Sequence, residues 1–285
     1  MAGKKRKKVG LALGGGGAKG LAHLGVIRAL ERMGIEISYI AGTSIGAIVG
    51  AWYAATGETE SLRQFFQTIG PKDISSNSHL FMRHDGAIFK RKEIFNFLES
   101  GVDGKQFSDL KIPFAAVATD AATGLDEVMT SGDVLSAVRG SIAIPMFFPE
   151  VEREGKSLVD GGFSNPVPAD VVRKMGADYV IAVDISSNWI HTSELTKKPL
   201  SELFDAALSV IEYQLARHIL TQADIIIRPP VLSYSWLAFD KVGELYAHGM
   251  SATMNCATEI CRGTGYPVHH KKPFEKFMDF ILYQN

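Results

Sequence analysis

The chain has 285 residues, a formal net charge of −1 and 46% hydrophobic residues, which is enough to bury a large core. A nucleic-acid-binding protein would need a basic face, and the near-neutral charge argues against that partner. Two cysteines are too few for a disulfide framework or a structural metal site. We therefore expect a single globular unit in the reducing environment of the cytoplasm.

In chain order, short apolar segments alternate with amphipathic ones. Strands are predicted at residues 9–13, 35–41, 114–119, 127–130, 158–159, 179–183 and 224–228, and helices at residues 18–33, 45–55, 62–69, 92–98, 133–141, 168–175, 200–220 and 242–262. This alternation is typical of an α/β fold in which a mostly parallel central sheet carries helices on both faces. The helix at 45–55 is apolar nearly all round, so we expect it to be buried. The polar segment 71–85 is either a mobile lid or a surface loop.

Three regions are predicted: a basic tail at residues 1–8, a main domain at 9–265, and an amphipathic helix or tail at 266–285. The basic tail carries five consecutive cations from Lys4 to Lys8; it is either solvated or an electrostatic tether to anionic lipid. The C-terminal segment has an apolar helical stripe, which either docks on protein or lies in a lipid interface. Peripheral membrane contact stays open, and the sequence does not indicate the oligomeric state.

The first strand ends in four consecutive glycines, and a helix follows at once. Within this stretch, Gly15, Gly17 and Gly20 have the spacing of a loop that cradles an anion with backbone N–H groups at a helix N-terminus. The turn therefore presents bare amides with no side chains in the way.

A second glycine-marked turn, Gly42-Thr43-Ser44-Ile45-Gly46, lies between a predicted strand and the buried helix. This is the context that the G-x-S-x-G motif requires of a serine nucleophile. A serine on such a turn stands at the strand end, where the helix dipole favours developing negative charge.

A third turn follows a short strand and reads Asp160-Gly161-Gly162. It places a carboxylate at a strand end, where it can serve as a base for the serine. Amides, a hydroxyl and a carboxylate on three such turns are the components of acyl transfer: oxyanion donors, nucleophile and base.

Together with the apolar loop that runs from Ser141 to Pro149, these three motifs resemble the patatin-like phospholipase family over residues 9–183. The resemblance implies a Ser–Asp dyad hydrolase of lipid esters, of the phospholipase A, lysophospholipase or esterase type, that acts without metal or cofactor. In its terms Ser44 attacks the ester and Asp160 is the base. It also implies that the backbone N–H groups of Gly15, Gly16 and Gly17 hold the oxyanion of the tetrahedral intermediate. Lys19 stands where the family has a basic residue. It is either a charge on the helix surface or a residue that positions the loop.

Three alternatives remain. A dinucleotide-binding enzyme would need an acidic residue at the end of the second strand, where the sequence has Ala41 and Gly42. A Ser-His-Asp hydrolase could use one of the later histidines, which are His191, His218, His248, His269 and His270. A regulatory lipid-binding protein on a hydrolase fold is the third. The apolar side chains Ile144, Met146, Phe147 and Phe148 either line an acyl-chain entry or belong to the core.

Overall fold

The computed structural model describes residues 5–69, 91–145, 148, 150–186 and 200–267. The predicted loop at 71–85, the apolar stripe of the C-terminal tail, and residues 146 and 147 lie outside the described residues. Interpretations that concern them stay predictions.

The described strands and helices follow the predicted alternation. The strands are β1 (Val9–Leu13), β2 (Ile37–Thr43), β3 (Phe114–Asp120), β4 (Asp126–Met129), β5 (Val151–Arg153), β6 (Lys156–Asp160), β7 (Tyr179–Val183) and β8 (Ile225–Ile227). The helices are α1 (Ala22–Arg32), α2 (Ile45–Thr56), α3 (Glu60–Gln67), α4 (Arg91–Val102), α5 (Val134–Ser141), α6 (Ala169–Lys174), α7 (Leu200–Ile219), α8 (Val242–Asn255) and α9 (Ala257–Thr264).

The strands form one 8-stranded sheet in the order β5-β6-β3-β2-β1-β7-β8, with β4 paired to β3. Five neighbouring strands are parallel to one another, namely β3, β2, β1, β7 and β8. Strands β4, β5 and β6 pair antiparallel. The prediction of a mostly parallel α/β sheet is confirmed. Strand β5 was not predicted, since its sequence Val-Glu-Arg is short and polar.

The two faces of the central strand β1 carry side chains of different size. Val9, Leu11 and Leu13 point into the larger core cluster, whereas Ala12 belongs to the smaller one. On the small side, a Cβ at Gly10 would lie 2.0 Å from Val172 of α6, so α6 approaches the strand closely. Burial of each leucine contributes about 1.5–3 kcal/mol.

Helix α2 is buried along almost its whole length, as its apolar sequence predicts. Two other helices differ from prediction. The segment at 18–33 begins with a 3₁₀ turn, Gly17–Leu21, before α1. The segment at 242–262 is two helices, since Cys256 leaves helical geometry between α8 and α9.

Arg6 and Lys7, which precede β1, lie at the amino ends of the strands. The Lys7 N–H donates to the Thr264 carbonyl at 2.9 Å, and the Arg6 guanidinium lies 4.8 Å from the centre of the Tyr266 ring. The candidate site described below lies at the opposite, carboxyl end of β1. In the part of the chain that the structure describes, no helix combines the length and apolarity that a membrane span requires.

Helices α1 and α8 pack so closely that glycine is required at their contact. A Cβ at Gly249 of α8 would lie 1.9 Å from the Ala22 carbonyl oxygen. We expect Gly249→Ala to lower the free energy of unfolding by about 1–3 kcal/mol, because the added methyl must push the helices apart. Urea denaturation followed by circular dichroism measures this change.

The matched control is Gly243→Ala on the same helix, where an added Cβ meets no atom within 4 Å. That substitution is expected to raise stability by about 0.5–1 kcal/mol, through helix propensity alone. Equal effects of the two substitutions would contradict the packing argument.

Candidate active site

Ser44 occupies a strained turn between β2 and α2. Its backbone has φ 55° and ψ −124°, a region that non-glycine residues rarely adopt. The turn fits because its flanking glycines pack against backbone: a Cβ at Gly42 would lie 2.3 Å from the Gly46 carbonyl oxygen, and one at Gly46 would lie 2.1 Å from that of Leu13. Ser44 thus stands at the carboxyl end of β2, at the edge where the parallel strands end.

Strand β3 brings Asp160 next to this turn. Thr43 pairs with Val117 on one side of β3, and Ala118 pairs with Asp160 on the other. The following residue, Gly161, packs so closely that a Cβ would lie 2.2 Å from the Val117 carbonyl oxygen. Consequently Ser44 and Asp160, which are far apart along the chain, lie within side-chain reach.

The carboxyl group of Asp160 is buried, with 3% of the residue exposed. Oδ1 accepts the Gly162 N–H at 2.8 Å, whereas Oδ2 has no partner of full hydrogen-bond geometry among the described residues. Burial raises the pKa of Asp160 from 3.8 to about 6, although hydrogen bonds from the Ser44 hydroxyl and the Gly162 N–H lower it. The Ser44 hydroxyl therefore lies beside the Asp160 carboxyl, and catalytic hydrogen bonds commonly tighten only when substrate binds.

The glycine loop after β1 offers two amides to this site. The N–H groups of Gly16 and Gly17 have no hydrogen-bond partner within the described chain, and both residues line a cavity that also contacts Ser44. Gly15 differs, because its N–H donates to the Pro166 carbonyl at 2.9 Å and it does not line the cavity. The assignment of Gly15 as an oxyanion donor is therefore corrected: its amide is already engaged.

The cavity over Ser44 is small. Its volume of about 20 Å³ has room for little more than a water molecule. Among the described residues, the lining is formed by Gly16, Gly17, Lys19, Ser44, Ile144, Asp160, Leu208, Glu212 and Trp236. Leu208 and Glu212 come from α7, one helical turn apart, and cover the site.

Two charged side chains in this lining are buried. Lys19 and Glu212 each expose 4% of their surface. The interpretation of Lys19 as a surface charge is therefore wrong, because the 3₁₀ turn directs it into the cavity. Ile144 is buried and also lines the cavity, and Phe148 is half-buried; whether these side chains form an acyl-chain entry stays a prediction.

The described histidines lie elsewhere. His23 is fully buried behind the glycine loop, where its Nε2 lies 2.8 Å from the Gly14 carbonyl oxygen. Burial lowers its pKa to about 4, so the ring is neutral at physiological pH. His248 lies 3.1 Å from the Tyr234 hydroxyl, and His218 is exposed near the end of α7. His191, His269 and His270 lie outside the described residues.

Sequence reasoning missed the residue that holds the Ser44 backbone. The Ser44 N–H donates to Ser141 Oγ at 3.0 Å, and the Ser141 hydroxyl donates to the Val117 carbonyl at 2.6 Å. Ser141 was noticed only as the start of the apolar loop. Its full burial at the end of α5 has no local sequence signal. The cover from α7 and Trp236 was missed for the same reason.

The raised pKa of Asp160 makes a prediction about stability. The carboxyl binds a proton more tightly in the folded state than in the unfolded chain, so stability falls as pH rises from about 4 to about 6. At pH 8 the Asp160→Asn variant should therefore exceed the wild type in free energy of unfolding by up to about 3 kcal/mol.

The difference should shrink as the pH is lowered through 6 and be smallest near pH 4. Denaturation of both proteins across this range measures it. A difference that does not depend on pH would mean that burial of the charge is not its cause.

Comparison with known proteins places the chain in a family. Residues 11–173 match the patatin-like phospholipase family. The chain is 30% identical over 268 residues to "Lysophospholipase NTE1" of Pyricularia oryzae, across 85% of this chain and 18% of that protein. It is 32% identical over 188 residues to "Patatin-like phospholipase domain-containing protein 6" of Mus musculus, across 63% of this chain and 14% of that protein.

The chain thus spans less than a fifth of the length of these curated relatives. Among solved structures, it is similar to VipD from Legionella pneumophila with a TM-score of 0.49 and 14% sequence identity, across 88% of this chain and 66% of that one. The family match covers more than half of the chain and includes all three glycine-marked turns. The chain belongs to the patatin-like phospholipase family.

Proposed function

We propose that this chain hydrolyses carboxylic esters of lipids through Ser44 as nucleophile and Asp160 as general base. The observation that carries the proposal is the position of the Ser44 hydroxyl on a strained turn beside the buried Asp160 carboxyl. The free amides of Gly16 and Gly17 in the same cavity support an oxyanion site. The relatives named lysophospholipase favour a phospholipid or lysophospholipid substrate.

In the first half-reaction, Ser44 Oγ attacks the ester carbonyl carbon while Asp160 takes the hydroxyl proton. The N–H groups of Gly16 and Gly17 stabilise the charge on the tetrahedral oxygen. The C–O bond to the alcohol then breaks, and the alcohol leaves with the proton from Asp160. In the second half-reaction, water attacks the acyl-enzyme and Asp160 accepts its proton. Collapse releases the fatty acid and returns the proton to Ser44.

The elevated pKa of Asp160 suits this role. A carboxylate with an ordinary pKa near 3.9 is a weak base for a hydroxyl, and efficient general bases have a pKa closer to the working pH. Burial in the cavity raises the pKa of Asp160 to about 6. At neutral pH the group is therefore mostly ionised and a stronger base than an exposed aspartate.

The Ser-His-Asp alternative has less support. No histidine of the described chain lines the cavity, and His23, the one buried behind the loop, is bonded to the Gly14 carbonyl. The lipid-binding alternative lacks a reason for the nucleophile's strained turn, which costs about 1–3 kcal/mol to maintain.

A fluorophosphonate probe distinguishes an enzyme from a binding protein. We expect it to label the wild type and not Ser44→Ala, because only an activated serine reacts. Ser44→Ala should also lower kcat on a short-chain p-nitrophenyl ester by about 10³-fold or more. The exposed Ser131 supplies the control: Ser131→Ala should label as the wild type does. Absence of wild-type labelling would favour the binding protein.

The pH dependence of kcat/KM distinguishes the dyad from a triad. Because Asp160 must be deprotonated to act as base, kcat/KM should rise with pH and level off above about 6. Below that value it should fall about tenfold per pH unit. The control uses an ester with no ionisable group. An acid limb near 7 that disappears in a histidine-to-alanine variant would contradict the dyad.

A further inference from the structure

Helix α7 covers the candidate active site with one face and exposes apolar side chains on another. Leu208 and Glu212 line the cavity. On the outward face, Val210 and Ile211 are 37% and 43% exposed. They are adjacent members of a small set of exposed large apolar residues in the described chain, the others being Leu125, Val128 and Met254. Helix α7 therefore carries an apolar side chain on the face that lines the cavity and two more on an exposed face.

In the described side chains of α7, residues 207–219, the outward face carries one cation, Arg217, which is exposed. From residue 207 to residue 219 the acidic residue is Glu212, which is buried. Gln214, Arg217 and His218 continue the exposed face toward the end of the helix, and Arg217 lies 5.8 Å from the centre of the Tyr213 ring. An exposed apolar pair followed by the guanidinium group of Arg217 fits the surface of an anionic membrane.

The basic residues before β1 lie elsewhere. Lys7 is bonded to Thr264 near the amino end of β1, whereas Ser44 and the cavity lie at the carboxyl ends of the strands. A membrane held by Arg6 and Lys7 would contact the amino ends of the strands and leave the cavity at their opposite, carboxyl ends. Contact through α7 would instead bring the cover of the cavity to the lipid.

We propose that the outward face of α7, formed by Val210, Ile211 and Arg217, docks on an anionic phospholipid surface. This inference rests on the proposed function, because a lipid ester is the reason for the site to meet a membrane. Docking on α7 places the cavity one helix diameter from its substrate. The partner is a lipid surface rather than a protein, since an exposed apolar pair lies on the same helix as an exposed cationic side chain.

The test is flotation with vesicles of phosphatidylcholine that contain phosphatidylglycerol. The double variant Val210→Ser/Ile211→Ser should bind these vesicles at least about fivefold more weakly than the wild type. It should hydrolyse lipid esters in the vesicles correspondingly more slowly. Its rate on monomeric p-nitrophenyl butyrate should stay within about twofold of the wild type, because neither side chain lines the cavity.

Met254→Ser is the matched control. Met254 is 39% exposed but belongs to α8, which packs on α1 and contributes no lining residue. This variant should bind vesicles as the wild type does. Arg217→Gln should weaken binding to the anionic vesicles about fivefold and leave binding to pure phosphatidylcholine unchanged.

Unchanged flotation of the double variant would overturn the inference. So would a wild-type dimer in sedimentation that the double variant converts to a monomer without any vesicle binding, because the face would then join two copies of the chain. If neither the wild type nor any variant hydrolyses an ester, the proposed function fails instead. Flotation then still tests whether the outward face of α7 binds lipid. The two failures are thereby distinguishable.

Discussion

The candidate site depends on the strained backbone of Ser44. A residue with a side chain at φ 55° and ψ −124° persists only where its surroundings hold it. Here the Ser44 N–H is held by Ser141 Oγ, which is itself anchored to the Val117 carbonyl. Helix α5 and strand β3 thus both restrain the turn. The same arrangement engages the Ser44 N–H, so this amide is not free to serve as an oxyanion donor in the reaction that we propose.

Burial of Asp160 links stability to the proposed chemistry. The same desolvation that raises its pKa to about 6 makes the ionised form costly in the folded state. Hydrogen bonds from the Ser44 hydroxyl and the Gly162 N–H to the carboxyl group offset part of this cost. On the main chain, Thr119 Oγ1 donates to the Asp160 carbonyl oxygen at 2.9 Å, and the Asp160 N–H donates to the Ala143 carbonyl oxygen at 3.0 Å. These bonds fix the backbone, while Oδ2 stays free of a strong partner among the described residues. A base must keep an oxygen available, and rigidity here comes from the main chain.

The sequence predicted what local chemistry determines. Ser44, Asp160 and their glycines were identified because each lies on a strand-end turn with a recognisable residue pattern. The α/β class followed from the alternation of strands and helices, and the buried α2 followed from its apolar composition. These properties are encoded within about ten residues of where they occur.

What the sequence did not predict depends on partners distant along the chain. The Gly15 amide is engaged by Pro166, and Lys19 is buried under a cover from α7. Neither the Gly15–Pro166 hydrogen bond nor the burial of Lys19 can be inferred without the order of the strands in the sheet. That order places β3 between β2 and β6. The single predicted helix at 242–262 divides at Cys256, where the apolar pattern continues although the backbone turns.

The family match and the cover come from different parts of the chain. Residues 11–173 include Ser44, Asp160 and the free amides, whereas Leu208, Glu212 and Trp236 lie beyond them. Membership in the family therefore bears on the reaction, and the later segments contribute part of the cavity lining. Leu208, Glu212 and Trp236 line the cavity of about 20 Å³ together with Ser44 and Asp160. Substrate choice is accordingly expected to reside in α7 and the Trp236 loop, and the ester chemistry in the strand-end turns.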